Sequence, residues 1–365
     1  MRAGFNLAFF GSSLVSAYWN GAATYYRGII RGLYDLGHRT TFYEPDAFAR
    51  QEHRDIENPD WALDVVFPAT DDGMRRSLYQ AKDADVIVKT SGVGVLDREL
   101  ETEVLNLKRP GNLVVFWDVD APATLDRLVQ DETDHFHRLL PEFDLILTYG
   151  GGPPVVKAYK DLGAKECIPI YNGLDPSQNF PVDLEPAFNA DLSFLGNRLP
   201  DREARVEDFF CTAAQLLPEQ RFLLAGSGWQ DKPLPANVNY IGHLFTKDLN
   251  VFNSSARAVL NINRMSMARY GFSPATRMFE AAGAGACLIT DRWQGLDHFL
   301  EPEQEVLVAN NGAEVAAILE DLDPEHARQI GEAARQRVLA SHTYEKRALE
   351  VQAVLRSAQN GHNLA

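Results

Sequence analysis

The chain is poor in cysteine, short of positive charge and without any long hydrophobic run. Its 365 residues hold three cysteines, Cys167, Cys211 and Cys287, far apart and each beside an apolar run. No Cys-x-x-Cys pair or Cys/His spacing points to zinc, so the reading is buried free thiols in a reducing, cytoplasmic compartment. Lysine and arginine number 35 against 51 aspartates and glutamates, a formal charge of −16. Such a surface repels phosphate backbones and anionic lipids, which argues against nucleic acid and membrane surfaces as partners. It leaves room for a small diphosphate in one locally basic cleft. No stretch approaches the roughly 18 uninterrupted apolar residues that span a bilayer. The opening Met1–Phe10 has one basic residue and a short apolar run ending in a glycine turn. It reads as a first strand, not a secretory leader. No solenoid period is visible.

What remains is ordinary globular composition, 45% hydrophobic and 24% charged, long enough for about two domains. Strand-length apolar runs alternate with amphipathic stretches that read as helices at Ala22–Leu36, Met74–Ala81, Leu96–Leu105, Thr124–Leu140, Arg202–Leu217, Ala275–Ala284, Ala313–Leu319 and Pro324–Ala340. In the first half, strands are expected at Asn6–Phe10, Thr40–Tyr43, Val86–Lys89, Leu113–Trp117 and Leu145–Thr148. In the second they are expected at Ala190–Leu195, Phe222–Ala225, Val238–Ile241, Ala258–Ile262, Ala286–Thr290 and Glu305–Val308. Two such series predict two α/β, Rossmann-like, doubly wound domains with parallel sheets, facing across a cleft. Pro169, Gly173, Pro176, Pro181 and Pro186 mark a connector. The expected division is residues 1–168 as the first domain, 169–188 as connector, 189–342 as the second domain, and 343–365 as a final helix.

Ligands of open α/β sheets sit beyond the carboxyl ends of strands. The richest loop there runs Arg269-Tyr270-Gly271-Phe272-Ser273-Pro274-Ala275-Thr276-Arg277 and continues to Glu280. Ser273 is expected to cap a helix whose first turn holds Pro274, with free amides and a positive helix end suited to a diphosphate. Glu280, about two turns in, is placed to reach a ribose diol. A plain capped helix with a charged residue on its wet face would carry the same residues. In the first domain Asp118 and Asp120 follow a buried strand, where one of them is a candidate general base on a hydroxyl. Asp120 as a helix cap is the simpler alternative, and metal binding through Asp-x-Asp is the lesser one, so no metal site is assigned. Ser12, Trp19, Asn20 and Gly21 form a flexible lip, with Trp19 offering an apolar face to a sugar ring. His135, His137 and His342 have no zinc-like spacing.

The run Ser273–Ala286, followed by Thr290-Asp291-Arg292-Trp293-Gln294-Gly295-Leu296 and His298–Pro302, resembles the CgeB-like glycosyltransferases, relatives of the family-4 enzymes of GT-B architecture. Tyr171-Asn172-Gly173-Leu174-Asp175 with Phe180-Pro181 is similar to the GT-B interdomain connector. Ser341–Arg347 is similar to the start of the last helix, which in that family returns to the first domain. The likeness is specific over residues 145–355. Over the first 140 residues it rests on Gly21–Gly28 and Gly37-His38.

The resemblance implies a metal-independent transfer of a sugar, of the hexosyl kind, from a nucleoside-diphosphate sugar to an acceptor not yet identified. The donor is expected to be of the UDP or dTDP type, with no tightly bound cofactor. It implies that Gly196, Asn197 and Arg198 line the diphosphate, and that Arg202, Arg198 or Arg277 stabilises the leaving phosphate. It makes Gly226 and His243 walls for the base. The family's usual first glutamate, eight positions before the one matching Glu280, falls here on Phe272, which leaves the stereochemical outcome open. An epimerase of the same architecture and a non-catalytic binding homologue are the rival expectations.

Overall fold

A computed structural model describes residues 4–18 and 20–362. The chain divides into two compact units. One comprises the residues up to Tyr171 together with those from Tyr344 onward; the other is Asn172–Thr343.

In the first unit seven strands form one parallel sheet: β1 (Asn6–Phe10), β2 (Arg39–Asp46), β3 (Leu63–Pro68), β4 (Val86–Thr90), β5 (Leu113–Asp118), β6 (Leu145–Thr148) and β7 (Cys167–Pro169). Their order is β3-β2-β1-β4-β5-β6-β7. All six residues of β5 are buried, as expected for a parallel strand covered on both faces. The direction of chain progression reverses between β1 and β4, paired through Leu7↔Val86 and Phe10↔Lys89. Helix Ala23–Asp35 packs on the sheet through Tyr25, Tyr26, Ile29 and Leu33, and the final helix, Tyr344–His362, joins the same core through Tyr344, Ala348, Val351 and Leu355.

The second unit holds β8 (Ala190–Leu195), β9 (Phe222–Ala225), β10 (Val238–Tyr240), β11 (Ala256–Asn261), β12 (Leu288–Asp291) and β13 (Leu307–Ala309) in the order β10-β9-β8-β11-β12-β13. Here the reversal lies between β8 and β11, paired through Leu192↔Ala258 and Phe194↔Leu260. The core on one sheet face joins Phe194, Phe210, Phe222, Leu260 and Ile289.

Several local expectations are corrected. The helix expected at Ala275–Ala284 is Thr276–Gly283 with Ala275 at the N-cap position, and Ser273 does not cap it: its hydroxyl donates to the Gly271 carbonyl at 2.8 Å. The helix read as Thr124–Leu140 is two, Ala121–Gln130 and Phe136–Leu139. The one read as Arg202–Leu217 contains a π-helical turn at Glu207–Cys211 between Glu203–Val206 and Thr212–Leu216. Unread elements are β3, β7, and helices Gly152–Asp161, Leu249–Ser255 and Met265–Tyr270.

Candidate functional site

In the second unit the strand order makes the carboxyl ends of β8 and β11 the switch point, the place where open α/β sheets receive ligands. Two segments leave it. Gly196–Arg202 follows β8, and Asn263–Ala275 follows β11. They are joined by an ion pair from Arg264 Nε to Asp201 at 2.7 Å.

Two guanidiniums converge on Gly196. A β-carbon added there would lie 2.9 Å from Arg277 Nη1 and 3.2 Å from Arg202 Nη1. Arg277 Nη1 donates to the Leu195 carbonyl at 2.5 Å, and Arg202 Nη1 to the Asn197 carbonyl at 3.2 Å. Any side chain at Gly196 would displace one of them. Gly226, at the end of β9, lies against the same point: its φ is +119° and an added β-carbon would meet the Gly196 carbonyl at 2.3 Å. Asn197 Oδ1 accepts from the Ser227 amide at 2.9 Å, and Trp229 donates its indole N–H to the Gly196 carbonyl at 2.8 Å.

Arg198 is differently engaged. It pairs with Glu203 at 2.8 Å and Asp231 at 2.9 Å, and Lys232 bridges Glu203 and Glu207. Hydrogen bonds from Arg198 and Lys232 hold the Glu203 carboxyl at about 2. The charge of Arg198 is thus already answered by carboxylates. His243 is exposed, edge-on to Phe245 at 4.9 Å.

The loop before helix Thr276–Gly283 is fixed from behind. The Gly271 carbonyl accepts from Ser273 Oγ, the Ser273 carbonyl from Asn263 Nδ2 at 3.2 Å, and the Pro274 carbonyl from Asn172 Nδ2 at 3.2 Å. Phe272 takes a left-handed conformation, φ 44°, its amide donating to the Gln294 carbonyl at 2.7 Å and its ring lying over Gly295. With the carbonyls held, the amides of Ser273, Ala275 and Thr276 have no acceptor among the described residues. Uncommitted amides at a helix start favour an anion. Farther along the same helix, the half-buried Glu280 carboxylate has no hydrogen-bond or ion-pair partner among the described residues. Burial pushes its carboxyl up to about 7, with Arg277 pulling the other way.

The first-unit candidates are built differently. Asp118 has no exposed surface; it accepts from Ser91 Oγ at 2.7 Å, from the Asp120 amide at 2.9 Å and from the Tyr159 hydroxyl. Burial raises its pKa. These bonds tie β4, β5 and helix Gly152–Asp161 together, a scaffold role. Asp120 is half-buried and occupies the N-cap position of helix Ala121–Gln130 without a side-chain capping bond. Ser12 is buried and donates to Asn20 Oδ1 at 2.9 Å, while Asn20 Nδ2 donates to the Ser13 and Ser16 carbonyls. Gly21 is exposed. Trp19 lies outside the described residues. Among the described residues no cluster of His, Cys, Asp and Glu could hold a metal ion, and no helix is long and apolar enough to cross a membrane.

Three residues to which the sequence reading gave no role help to set this loop: Asn172, Asn263 and Asp291. Asn172 lies in the connector motif, but nothing in its spacing shows that it would reach Pro274, 102 residues on.

Residues 202–353 match the sequence profile of a family described as glycosyl transferase-like. No curated protein matches the chain. Among solved structures, sucrose-phosphate synthase from Thermosynechococcus elongatus is 17% identical with a TM-score of 0.69, over 98% of this chain and 99% of that one. Anabaena HepE, solved with UDP-glucose, is 13% identical with a TM-score of 0.68, over 97% and 100%. An α-glucosyltransferase solved with UDP-glucose and DNA is 11% identical with a TM-score of 0.71, over 97% and 100%. The chain therefore has the GT-B fold of these proteins, built from two parallel-sheet α/β units.

Proposed function

We propose that this protein is a glycosyltransferase that takes a sugar from a nucleoside-diphosphate donor held by its second unit and passes it to an acceptor nucleophile. The observation that carries this reading is the β8/β11 switch point. There, backbone amides and a Glu280 carboxylate that have no hydrogen-bond partner among the described residues, with the Arg202 and Arg277 guanidiniums, lie on the segment after β8 and on the loop and helix after β11. Amides and guanidiniums fit a diphosphate, and a carboxylate with no donor among the described residues fits a ribose diol. As the glycosidic bond breaks, negative charge grows on the departing diphosphate, and fixed cations and N–H dipoles stabilise that charge more than the ground state. The glycosyl transferase-like match over residues 202–353 and the fold support the same assignment.

The finer reading is a CgeB-like enzyme of the cytoplasm, with a UDP or dTDP donor and the guanidiniums supplying the charge a metal provides elsewhere. Candidates on the acceptor side are Ser12, Trp19, Asn20, Gly21 and Asp120. The net charge of −16 favours a small-molecule acceptor over nucleic acid. The test is a thermal-shift panel of UDP, dTDP, GDP and ADP with the corresponding glucose donors, with and without Mg, followed by diphosphate release on an acceptor panel. At least one nucleotide should raise the Tm of wild type without Mg, and Glu280→Ala should abolish the shift. Arg202→Ala and Arg277→Ala should slow turnover by roughly 10²-fold or more. Unshifted wild type across the panel would overturn the assignment, and equal shifts in Glu280→Ala would remove Glu280 from the site.

A further inference from the structure

Behind the loop that presents the free amides runs a closed chain of buried hydrogen bonds. Asn261 Nδ2 donates to Thr290 Oγ1 at 3.0 Å, and Thr290 Oγ1 donates to Asp291 Oδ1 at 3.3 Å. The same Asp291 oxygen accepts the Asn263 amide at 3.1 Å, while Oδ2 is held by Arg205 at 2.5 Å. Asn263 then passes the constraint forward, its side-chain amide donating to the Ser273 carbonyl at 3.2 Å. Asn263 and Asp291 are each about 1% exposed. A buried carboxylate with donors on both oxygens is a rigid point, and a side chain fixed to it through its own backbone has little freedom.

The position of Asn263 gives this chain its effect. The Ser273 carbonyl is the middle one of three that are tied back, between Gly271 and Pro274. Turning a carbonyl to the rear turns the next peptide N–H with it, because the peptide unit is planar. Pro274 has no N–H to present. The Asn263 bond therefore fixes a peptide with no N–H of its own and acts on the Ser273 carbonyl itself, while the Pro274 carbonyl, held by Asn172, orients the Ala275 amide. Without this bond the Ser273 carbonyl is free to rotate toward the ligand side, where it would repel an anion.

We infer that Asn263, anchored by Asp291, is a positioning residue for the donor diphosphate, keeping the Ser273 carbonyl turned away from the anion without touching the ligand. This rests on the donor site proposed above. It makes a distinction that a general stabilising role would not make. Loss of Asn263 should weaken whatever binds through phosphate while sparing contacts to the nucleoside.

The test compares wild type, Asn263→Ala, Asn263→His, Asp291→Asn and Glu280→Gln by calorimetric titration with inorganic pyrophosphate, with UDP, dTDP, GDP and ADP, and with the four nucleosides. The expected result for Asn263→Ala and Asp291→Asn is about a tenfold loss of affinity for pyrophosphate and nucleoside diphosphate, the scale of one hydrogen bond to a charged group. Nucleoside affinity should stay within twofold of wild type. Asn263→His, which keeps a ring N–H donor, should recover part of the loss. Glu280→Gln should show the converse pattern, weakening nucleoside and nucleoside diphosphate together and leaving pyrophosphate alone. Equal losses for nucleoside and diphosphate in Asn263→Ala, or no loss for either, would overturn the positioning role while leaving the donor site standing. Wild type that binds neither pyrophosphate nor any nucleotide would overturn both.

Discussion

At the scale of single residues, the Glu280 carboxylate, with no hydrogen-bond partner among the described residues, carries a cost of burial. Its pKa lies at about 7, well above its ordinary value, because burial disfavours the charged form and Arg277 only partly offsets it. In the folded protein the group binds a proton up to near neutrality; in the unfolded chain it releases it near its ordinary value. The stabilisation is complete at low pH and is lost as pH rises through about 7. Glu280→Gln should therefore raise the stability of the ligand-free protein at pH 8 by about 1–3 kcal/mol, with little effect at pH 5, measured by urea unfolding at the two pH values. Donor binding should have the opposite sign. A diol donates to carboxylate, so affinity for UDP-glucose, whose diphosphate does not titrate near neutrality, should rise with pH through about 7 in wild type and stay flat in Glu280→Gln. A pH-independent wild-type affinity would remove the diol contact.

The residue scale also shows what sequence could and could not convey. The place of Arg277 and Glu280 on a helix after a strand and a glycine loop was legible, because these follow one another in the chain. Asp118 and Asp120 look equivalent in the sequence, yet β5 ends at Asp118, which leaves one inside with three hydrogen bonds and the other at a half-buried helix start. Ser273 has the residue type of a cap, but two residues separate it from the helix, and its hydroxyl serves the preceding turn. Asn263 was invisible, since its meaning depends on a carbonyl ten residues on and a carboxylate 28 residues on.

Among the elements, buried central strands were plain in the sequence, whereas β3 was not. It is an edge strand, Leu-Asp-Val-Val-Phe-Pro, with Leu63 and Val66 exposed and a terminal proline, so it lacks the clean apolar run of a buried strand. Helix Ala23–Asp35 was read correctly as a helix, but not the reason for its glycines. A β-carbon at Gly28 would lie 2.3 Å from the Tyr344 ring, and one at Gly32 would lie 2.7 Å from the Ala348 β-carbon. These glycines let the final helix approach closely. Alanine is favoured over glycine inside an exposed helix by about 1 kcal/mol, so Gly28→Ala would stabilise an unpacked helix. Here the clash should win, with a net destabilisation of about 1–3 kcal/mol, read as a lowered urea midpoint. A stabilised Gly28→Ala protein would mean that the two helices are not in contact.

The whole molecule is threaded so that the first unit cannot be finished until the second has been made. The chain leaves the first unit after Tyr171 and re-enters it at Tyr344. The returning helix adds Tyr344, Ala348, Val351 and Leu355, all buried, to a core begun by Leu7, Phe9 and Ile29. Burying the three larger side chains contributes on the order of 5–8 kcal/mol, comparable with the whole stability of an ordinary domain. Among the described residues, the second unit's core cluster of Leu192, Phe210, Leu260 and Ile289 includes none from that helix. Removal of residues 344–365 should therefore unfold the first unit and spare the second. Calorimetry of the truncated chain should show one remaining cooperative transition, and hydrogen exchange should find protection confined to residues 172–343. The surviving transition should still shift upward with whichever nucleotide stabilises the full chain, because the amides, Arg202, Arg277 and Glu280 all lie within it. A truncated chain with no transition would show that the second unit depends on the first for its stability. A transition insensitive to nucleotide would show that the donor is not held by the second unit alone.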